Sequence, residues 1–155
     1  MTGVQRVLFR SMQAGRDVNL LAEATTQGDS YKASKKTVIN EQVRQQGTEI
    51  ASGTDTTIIA GRDMNAEAAQ VTAQGDIGVL AGRDVNLTTA TESDYHYDEE
   101  TKTKKGFLSK TTTHTISEQS ATREAGTLLS GDNVTVKSGN DLLVKGSSVV
   151  GDGDV

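Results

Sequence analysis

The sequence predicts an all-β chain that folds as a right-handed parallel β-helix, a solenoid with about 21 residues in each coil. Three observations support this prediction. The letters "AGRDVNL" occur at 14–20 and again at 81–87, with "AGRDMNA" at 60–66 between them. Apolar and polar residues alternate in the short runs that follow, which is typical of strands. Aromatic residues make up 3% of the chain and proline is absent, so a narrow aliphatic interior fits the composition.

The glycines give the period of the predicted coil. Gly61 precedes Gly75 by 14 residues, and Gly75 precedes Gly82 by 7, so a long arm alternates with a short one. We expect glycine at these corners because it tolerates positive φ, and the adjacent Asp and Asn because their side chains favour turns. The corner glycines of the pattern are Gly15, Gly61, Gly82, Gly131 and Gly139.

The copied motif also predicts which residues of successive coils meet. We expect Val85 to lie over Met64 in the interior, at the strand spacing of about 4.8 Å. Outside, Asn86 should lie over Asn65 and form a ladder of amides. The arginines and aspartates of the motif should form adjacent rows, so that carboxylates offset the repulsion between arginines. These charged residues are Arg62, Asp63, Arg83 and Asp84.

Two gaps in the glycine spacing predict insertions at about 27–50 and about 92–126, which we expect to project from the solenoid as strand-rich hairpins. The second insertion is rich in Thr and Tyr, which favour strands, and "KKGFLSK" at 104–110 is its predicted tip. The segment "YKASKKTVINEQVRQQG" at 31–47 looks like a shorter version. For both insertions the alternative is a disordered loop, and for the insertion at about 27–50 the hairpin and the loop have equal support.

The first eleven residues, "MTGVQRVLFRS", share nothing with the repeats and resemble the translation of a sequencing-library adapter. We therefore interpret residues 1–11 as a non-native segment and residues 12–155 as the repeat segment of a much longer chain. A genuine N-terminal arm is the alternative.

Composition argues against several classes of function. The net charge of −5 and the scarcity of aromatic residues disfavour nucleic acid as a partner. The histidines, His96 and His114, fall in the second insertion, where they are more simply solvated surface than a metal or acid–base site. The ending "VVGDGDV" lacks the full nonapeptide of a calcium-binding repeat and is better interpreted as a turn.

A row formed by Asp17, Asp63 and Asp84 leaves one enzymatic alternative open. Paired carboxylates on a β-helix are typical of polysaccharide-binding or polysaccharide-degrading modules. The corner motif itself already explains these aspartates, so we expect no enzyme, no catalytic residue, no cofactor and no metal.

The motif "AGRDVNL", the run "SGDNVTVKSGNDLLVKGSSVVGDGDV" at 130–155 and the insertion "TKTKKGFLSKTTTHT" at 101–115 resemble the hemagglutinin repeats of filamentous-hemagglutinin-type exoproteins, especially contact-dependent growth inhibition (CdiA-like) proteins. The resemblance covers residues 12–155. It implies a structural and interactive shaft segment of a secreted exoprotein, used in adhesion or toxin delivery. It further implies export by an outer-membrane two-partner-secretion transporter and retention at the bacterial cell surface.

The same resemblance implies contact with a target-cell envelope or a host surface, which we expect the second insertion to supply. A passive spacer is the alternative. The expected contact residues are Tyr95, Tyr97, Lys104, Lys105, Phe107 and Leu108.

Overall fold

The computed structural model describes residues 6–7 and 10–155, and every regular element in them is a β-strand. The all-β prediction is therefore confirmed. No helix long and apolar enough to cross a membrane occurs among these residues. The strands are β1 (Arg6–Val7), β2 (Ser11–Ala14), β3 (Val18–Leu20), β4 (Glu23–Ala33), β5 (Lys36–Gln46), β6 (Glu49–Ser52), β7 (Thr56–Ala60), β8 (Met64–Glu67), β9 (Gln70–Ala73), β10 (Ile77–Ala81), β11 (Val85–Thr88), β12 (Ala90–Lys105), β13 (Lys110–Ala125), β14 (Leu128–Gly131), β15 (Val134–Ser138), β16 (Leu142–Val144) and β17 (Ser148–Gly151).

The chain divides into two compact units. We call the first, which comprises residues up to 23, 45–90 and 124–155, the coil unit. The second comprises residues 24–44 and 91–123. The coil unit contains three sheets, in the orders β1-β6-β9-β14-β17, β2-β7-β10-β15 and β3-β8-β11-β16, and every pairing given for them is parallel. From β6 to β16 the chain visits the three sheets in the same order three times. We call one such passage a coil.

The register between neighbouring strands of a sheet repeats at a sequence separation of 20 or 21 where no strand of the second unit intervenes. Thr56 pairs with Ile77 and Met64 with Val85, each pair 21 positions apart. The separation is larger where strands of the second unit intervene, as between Ile77 and Val134. Equivalent residues of successive coils therefore lie beside each other in all three sheets.

The interior of the coil unit is aliphatic. Residues along β7, β8, β10 and β11 alternate between buried and more exposed positions, as strands with one inward face do. The largest buried apolar side chains are Ile50, Ile58, Met64, Val71, Ile77, Val79, Val85, Leu87, Leu129 and Val134. Among the described residues, aliphatic side chains and methionine fill this space without an aromatic ring, in agreement with the composition.

Two apolar residues of the coil unit, one at the end of the first expected insertion and one in β16, differ in exposure. Ile50, at the end of the first expected insertion, lies in β6 and is buried, because the hairpin strands already end at Gln46. Leu142 pairs with Val85 but remains 49% exposed, since no described strand covers the other side of β16.

The second unit is built on one four-stranded sheet, β4-β5-β12-β13, which we call the hairpin sheet. Its central strands, β5 and β12, pair antiparallel from Val43 opposite Ser93 to Lys36 opposite Glu100. A turn joins β12 to β13, where the Gly106 N–H donates to the Ser109 carbonyl at 2.7 Å. Residues 27–33 and 36–46 are thus strands, as are most of residues 92–125.

The segment interpreted as non-native is only partly described. Residues 1–5 and 8–9 lie outside the described residues. The backbone of β1 pairs with β6, with Val7 opposite Ile50, and Ser11 pairs with Thr57 in β7. The described part of the segment thus continues two sheets of the coil unit, and its origin stays a prediction.

Candidate functional site: the corner ladders and the hairpin sheet

Close approach of the backbone, rather than positive φ, explains four of the five predicted corner glycines, while the fifth, Gly15, is the residue that Gly61 approaches. Among the described glycines only Gly146 has a positive φ, of 56°. A Cβ atom at Gly61 would overlap the carbonyl oxygen of Gly15, and one at Gly82 would overlap that of Gly61. Gly139 approaches Gly82 in the same way, which makes one column. Gly131 lies elsewhere, over Gly75.

Arginine and aspartate of the copied motif form a ladder beside this column. Arg62 donates to both carboxylate oxygens of Asp17, from Nε at 3.0 Å and from Nη2 at 2.8 Å. Arg83 binds Asp63 in the same bidentate way, at 2.8 and 2.5 Å. Each arginine therefore reaches the aspartate of the preceding coil, in the fork geometry that makes such pairs specific.

The corner aspartates also bind the backbone of the next coil. The Asp63 N–H donates to Asp17 Oδ1 at 3.3 Å, and the Asp141 N–H donates to Asp84 Oδ1 at 3.2 Å. A second column at another corner does the same, with the Asp76 N–H donating to Asp55 at 3.0 Å. The sequence predicts that these carboxylates bind the backbone of their own turns. A motif alone does not show that its side chains reach the next coil.

The pKa shifts of the aspartates in this column are typical of a structural role and not of acid–base catalysis. The Arg62 guanidinium, together with the Asp63 backbone N–H, holds the pKa of the Asp17 carboxyl below its usual range. The hydrogen bond from Asn140 lowers the pKa of Asp84, and the Asp141 backbone N–H adds to this. A glycosidase needs a carboxyl whose raised pKa lets it act as the general acid, and neither Asp17 nor Asp84 has that property.

An amide ladder runs along the outer face of the third sheet. Asn86 Nδ2 donates to Asn65 Oδ1 at 2.9 Å, and Asn65 Nδ2 donates to Asn19 Oδ1 at 2.8 Å. The three residues are in register, so each amide both contacts and orients the next. The structure thus brings Asn65 and Asn86 together on the outer face of the sheet whose inner face carries Val85 and Met64.

The hairpin sheet carries two tyrosines that bind acidic residues. Partial burial raises the pKa of Tyr95 and of Tyr97, and hydrogen bonds to Glu118 and Glu99 respectively act in the same direction. The Tyr97 hydroxyl donates to Glu99 Oε2 at 3.2 Å. Both tyrosines are half-buried, and their contact with a partner stays a prediction.

The two histidines have separate partners. His96 Nδ1 lies 2.5 Å from Asn40 Oδ1, and His114 Nε2 lies 2.6 Å from Glu99 Oε1. Within residues 6–7 and 10–155, no group of three or more His, Asp or Glu side chains is placed to hold a metal ion.

The remaining predicted contact residues lie in and beside the turn between β12 and β13, where they are exposed. Phe107 is 100% exposed and Leu108 is 92% exposed, and Lys104 and Lys105 beside them are exposed as well. The structure thus divides the predicted contact set into this tip and the tyrosine pair near the middle of β12.

The chain is similar to known proteins over most of its length. The hemagglutinin-repeat family matches residues 29–155. Over 137 residues, which are 88% of this chain, it is 73% identical to the 16S rRNA endonuclease CdiA of Enterobacter cloacae subsp. cloacae. It is 68% identical over 145 residues to the tRNA nuclease CdiA of Escherichia coli STEC_O31, and 43% identical over 112 residues to the deoxyribonuclease CdiA of Dickeya dadantii. These matches cover 94% and 72% of this chain.

The chain spans only 3 to 4% of the length of these relatives. No solved structure matches the chain.

Proposed function

The chain belongs to the hemagglutinin-repeat family, and from this premise we propose that it is a structural and interactive shaft segment of a large CdiA-like exoprotein of contact-dependent growth inhibition. One observation carries the proposal. Relatives named for acting on 16S rRNA, on tRNA and on DNA share this segment at 73%, 68% and 43% identity. A segment common to all three does not select among those substrates, so we assign it no enzymatic activity.

The architecture supports a shaft. We infer that the three parallel sheets are successive faces of a right-handed parallel β-helix with coils of about 21 residues. The repeated order of the sheets and the separation of 21 positions between Met64 and Val85 support this inference. In a solenoid each coil is stabilised mainly by its neighbours, so such a segment can extend a protein by stacking.

The hairpin tip supports a contact role. Phe107 and Leu108 are the most exposed large apolar residues of the described chain, and Lys104 and Lys105 flank them. We propose that this tip touches the target-cell envelope or a host surface. We further propose that the parent protein is exported through an outer-membrane two-partner-secretion transporter and is retained at the cell surface.

To test this proposal, the matching segment of the Enterobacter cloacae relative is replaced by residues 12–155 of this chain, which gives a chimera of the relative. We expect the chimera to reach the cell surface and to inhibit target cells as the unmodified relative does. A chimera that is not displayed would overturn the shaft assignment. Cleavage of RNA or DNA by the purified chain would overturn the non-enzymatic assignment.

A paired variant tests the tip within the same chimera. Phe107→Ser with Leu108→Ser should keep display but reduce the number of bound target cells about tenfold. The matched control, Leu21→Ser with Leu143→Ser, removes two exposed leucines of the coil unit and should leave binding unchanged. Unchanged binding in the tip variant would restrict the segment to a passive spacer.

A further inference from the structure

The second strands of the two hairpins in the hairpin sheet share a short sequence motif. The second strand of the first hairpin, β5, carries "INEQ" at 39–42, and the second strand of the other, β13, carries "ISEQ" at 116–119. Each strand continues to an arginine, Arg44 or Arg123, and then to a Gly-Thr step that leads back into the coil unit. By their order in the two hairpins, β5 corresponds to β13 as the second strand and β4 corresponds to β12 as the first strand.

The structure already shows how two such hairpins join. The order β4-β5-β12-β13 places the second strand of the first hairpin against the first strand of the other. Eight antiparallel residue pairs, from Val43–Ser93 to Lys36–Glu100, form this junction. Ion pairs reinforce it, because Arg44 Nη2 contacts Asp94 and Lys36 Nζ lies 3.7 Å from Asp98.

The outer edge of β13 is the counterpart of the edge of β5 that this junction uses. Within the part of the chain that the structure describes, no strand pairs with that edge of β13. The strand is 16 residues long and exposed along nearly its whole length. Between Thr111 and Thr122 it contains no proline and no lysine or arginine, and five of its twelve residues there are threonine. Natural edge strands are often protected by lysine or proline, so this stretch lacks two of the ordinary defences, and Glu118 is its one carboxylate.

We propose that the outer edge of β13 binds β4 of a second copy of this chain, in antiparallel orientation, and so repeats the β5–β12 junction between molecules. The partner strand follows from the correspondence of the hairpins, because β4 is the counterpart of β12. It is available because β4 forms the opposite edge of the same sheet. Pairing of this kind is β-augmentation, in which main-chain hydrogen bonds hold the added strand. Since one edge binds the other, the contact is heterologous and open-ended.

Sedimentation velocity and hydrogen–deuterium exchange on the intact chain test the proposal across a concentration series. We expect assemblies to grow with concentration, and backbone amides of residues 110–122 and 24–32 to gain protection together. The variant Thr113→Lys with Thr115→Lys places charge on the β13 edge and should remain monomeric at concentrations at least tenfold higher. The matched control, Thr54→Lys with Gln74→Lys, adds the same charge to exposed turns of the coil unit and should assemble normally.

A mixing experiment tests the head-to-tail arrangement. Thr26→Lys with Ser30→Lys blocks the β4 edge instead, and this variant alone should also be monomeric. A mixture of the β13 variant and the β4 variant retains one intact pair of edges, so it should form dimers and nothing larger. Assembly of the β13 variant equal to that of the control would overturn the proposal, as would protection gained only in residues 142–151 or a chain that remains monomeric throughout.

Discussion

Gly82 lies so close to Gly61, its counterpart one coil earlier, that a methyl group on Gly82 would overlap the Gly61 carbonyl oxygen. The Gly82 N–H donates to the carbonyl of Ala60 at 3.0 Å, which holds the two backbones at this separation. Glycine is therefore required here by the contact between coils.

Replacing this glycine should destabilise the coil unit. Gly82→Ala must push two hydrogen-bonded backbones apart, and overpacking of this kind costs roughly 1–3 kcal/mol. Gly15→Ala is the control, since a Cβ atom at Gly15 meets no atom within 4 Å. Thermal unfolding should show a lower Tm for Gly82→Ala only, and equal shifts would contradict the close-approach explanation.

Two buried threonines should respond in opposite directions to the same substitution. Thr56 is buried and its hydroxyl has no hydrogen-bond partner, so Thr56→Val should stabilise the chain by about 1 kcal/mol. Thr127 accepts a hydrogen bond from the Ala69 N–H at 3.2 Å and donates to the Thr88 carbonyl at 2.9 Å. Thr127→Val leaves these groups unpaired and should cost about 1–3 kcal/mol. Urea unfolding measures both, and shifts of the same sign would refute this account.

A charge in the interior should disrupt several coils. Val85 is 0% exposed and pairs with Met64 on one side and Leu142 on the other. Val85→Asp buries an unpaired carboxylate and should lower the free energy of unfolding by more than about 3 kcal/mol. His96→Ala, on the exposed hairpin sheet, should change it by less than about 0.5 kcal/mol. Similar melting curves for the two variants would exclude stacking around Val85.

The corner aspartates predict a loss of stability in acid. The pKa of Asp17 is lowered by its hydrogen bond from Arg62. A lowered folded-state pKa stabilises the fold above the ordinary aspartate value of about 3.9, and this contribution is lost as the pH falls through the folded-state pKa. Asp17→Asn should therefore melt below the unmodified chain at pH 7, and the difference should shrink towards pH 2. A difference independent of pH would show that the carboxylate charge contributes nothing.

The sequence predicts the coil unit well where residues are copied at a constant separation. The register of Val85 with Met64, and of Asn86 with Asn65, was predictable because the letters "AGRD" recur 21 positions apart and so give the offset of one coil. The family resemblance is confirmed as well, and it rests on the repeated motif together with the charged, Thr-rich insertion, which are more specific than the motif alone.

Features without such periodicity could not be predicted in the same way. The junction of β5 with β12 joins hairpins of unequal length, so no constant separation marks Ile39 as the partner of Tyr97. The gap between two corner glycines gives the length of an insertion but not the residues at which it begins and ends. The spacing therefore places Ile50 in the first insertion, whereas it lies in β6. The hydrogen bond between Asp17 and the next coil could not be predicted either, because an aspartate beside glycine is also typical of an isolated turn.

The ladder in which Arg62 binds Asp17 and Arg83 binds Asp63 has an evolutionary consequence. The copy at 60–66 presents Asp63 to the arginine of its successor and Arg62 to the aspartate of its predecessor. A duplicated copy inserted in the gene would meet matching partners on both sides, and the loss of a copy would join two compatible neighbours. Recombination between copies can therefore lengthen or shorten such a chain in whole coils without any compensating mutation.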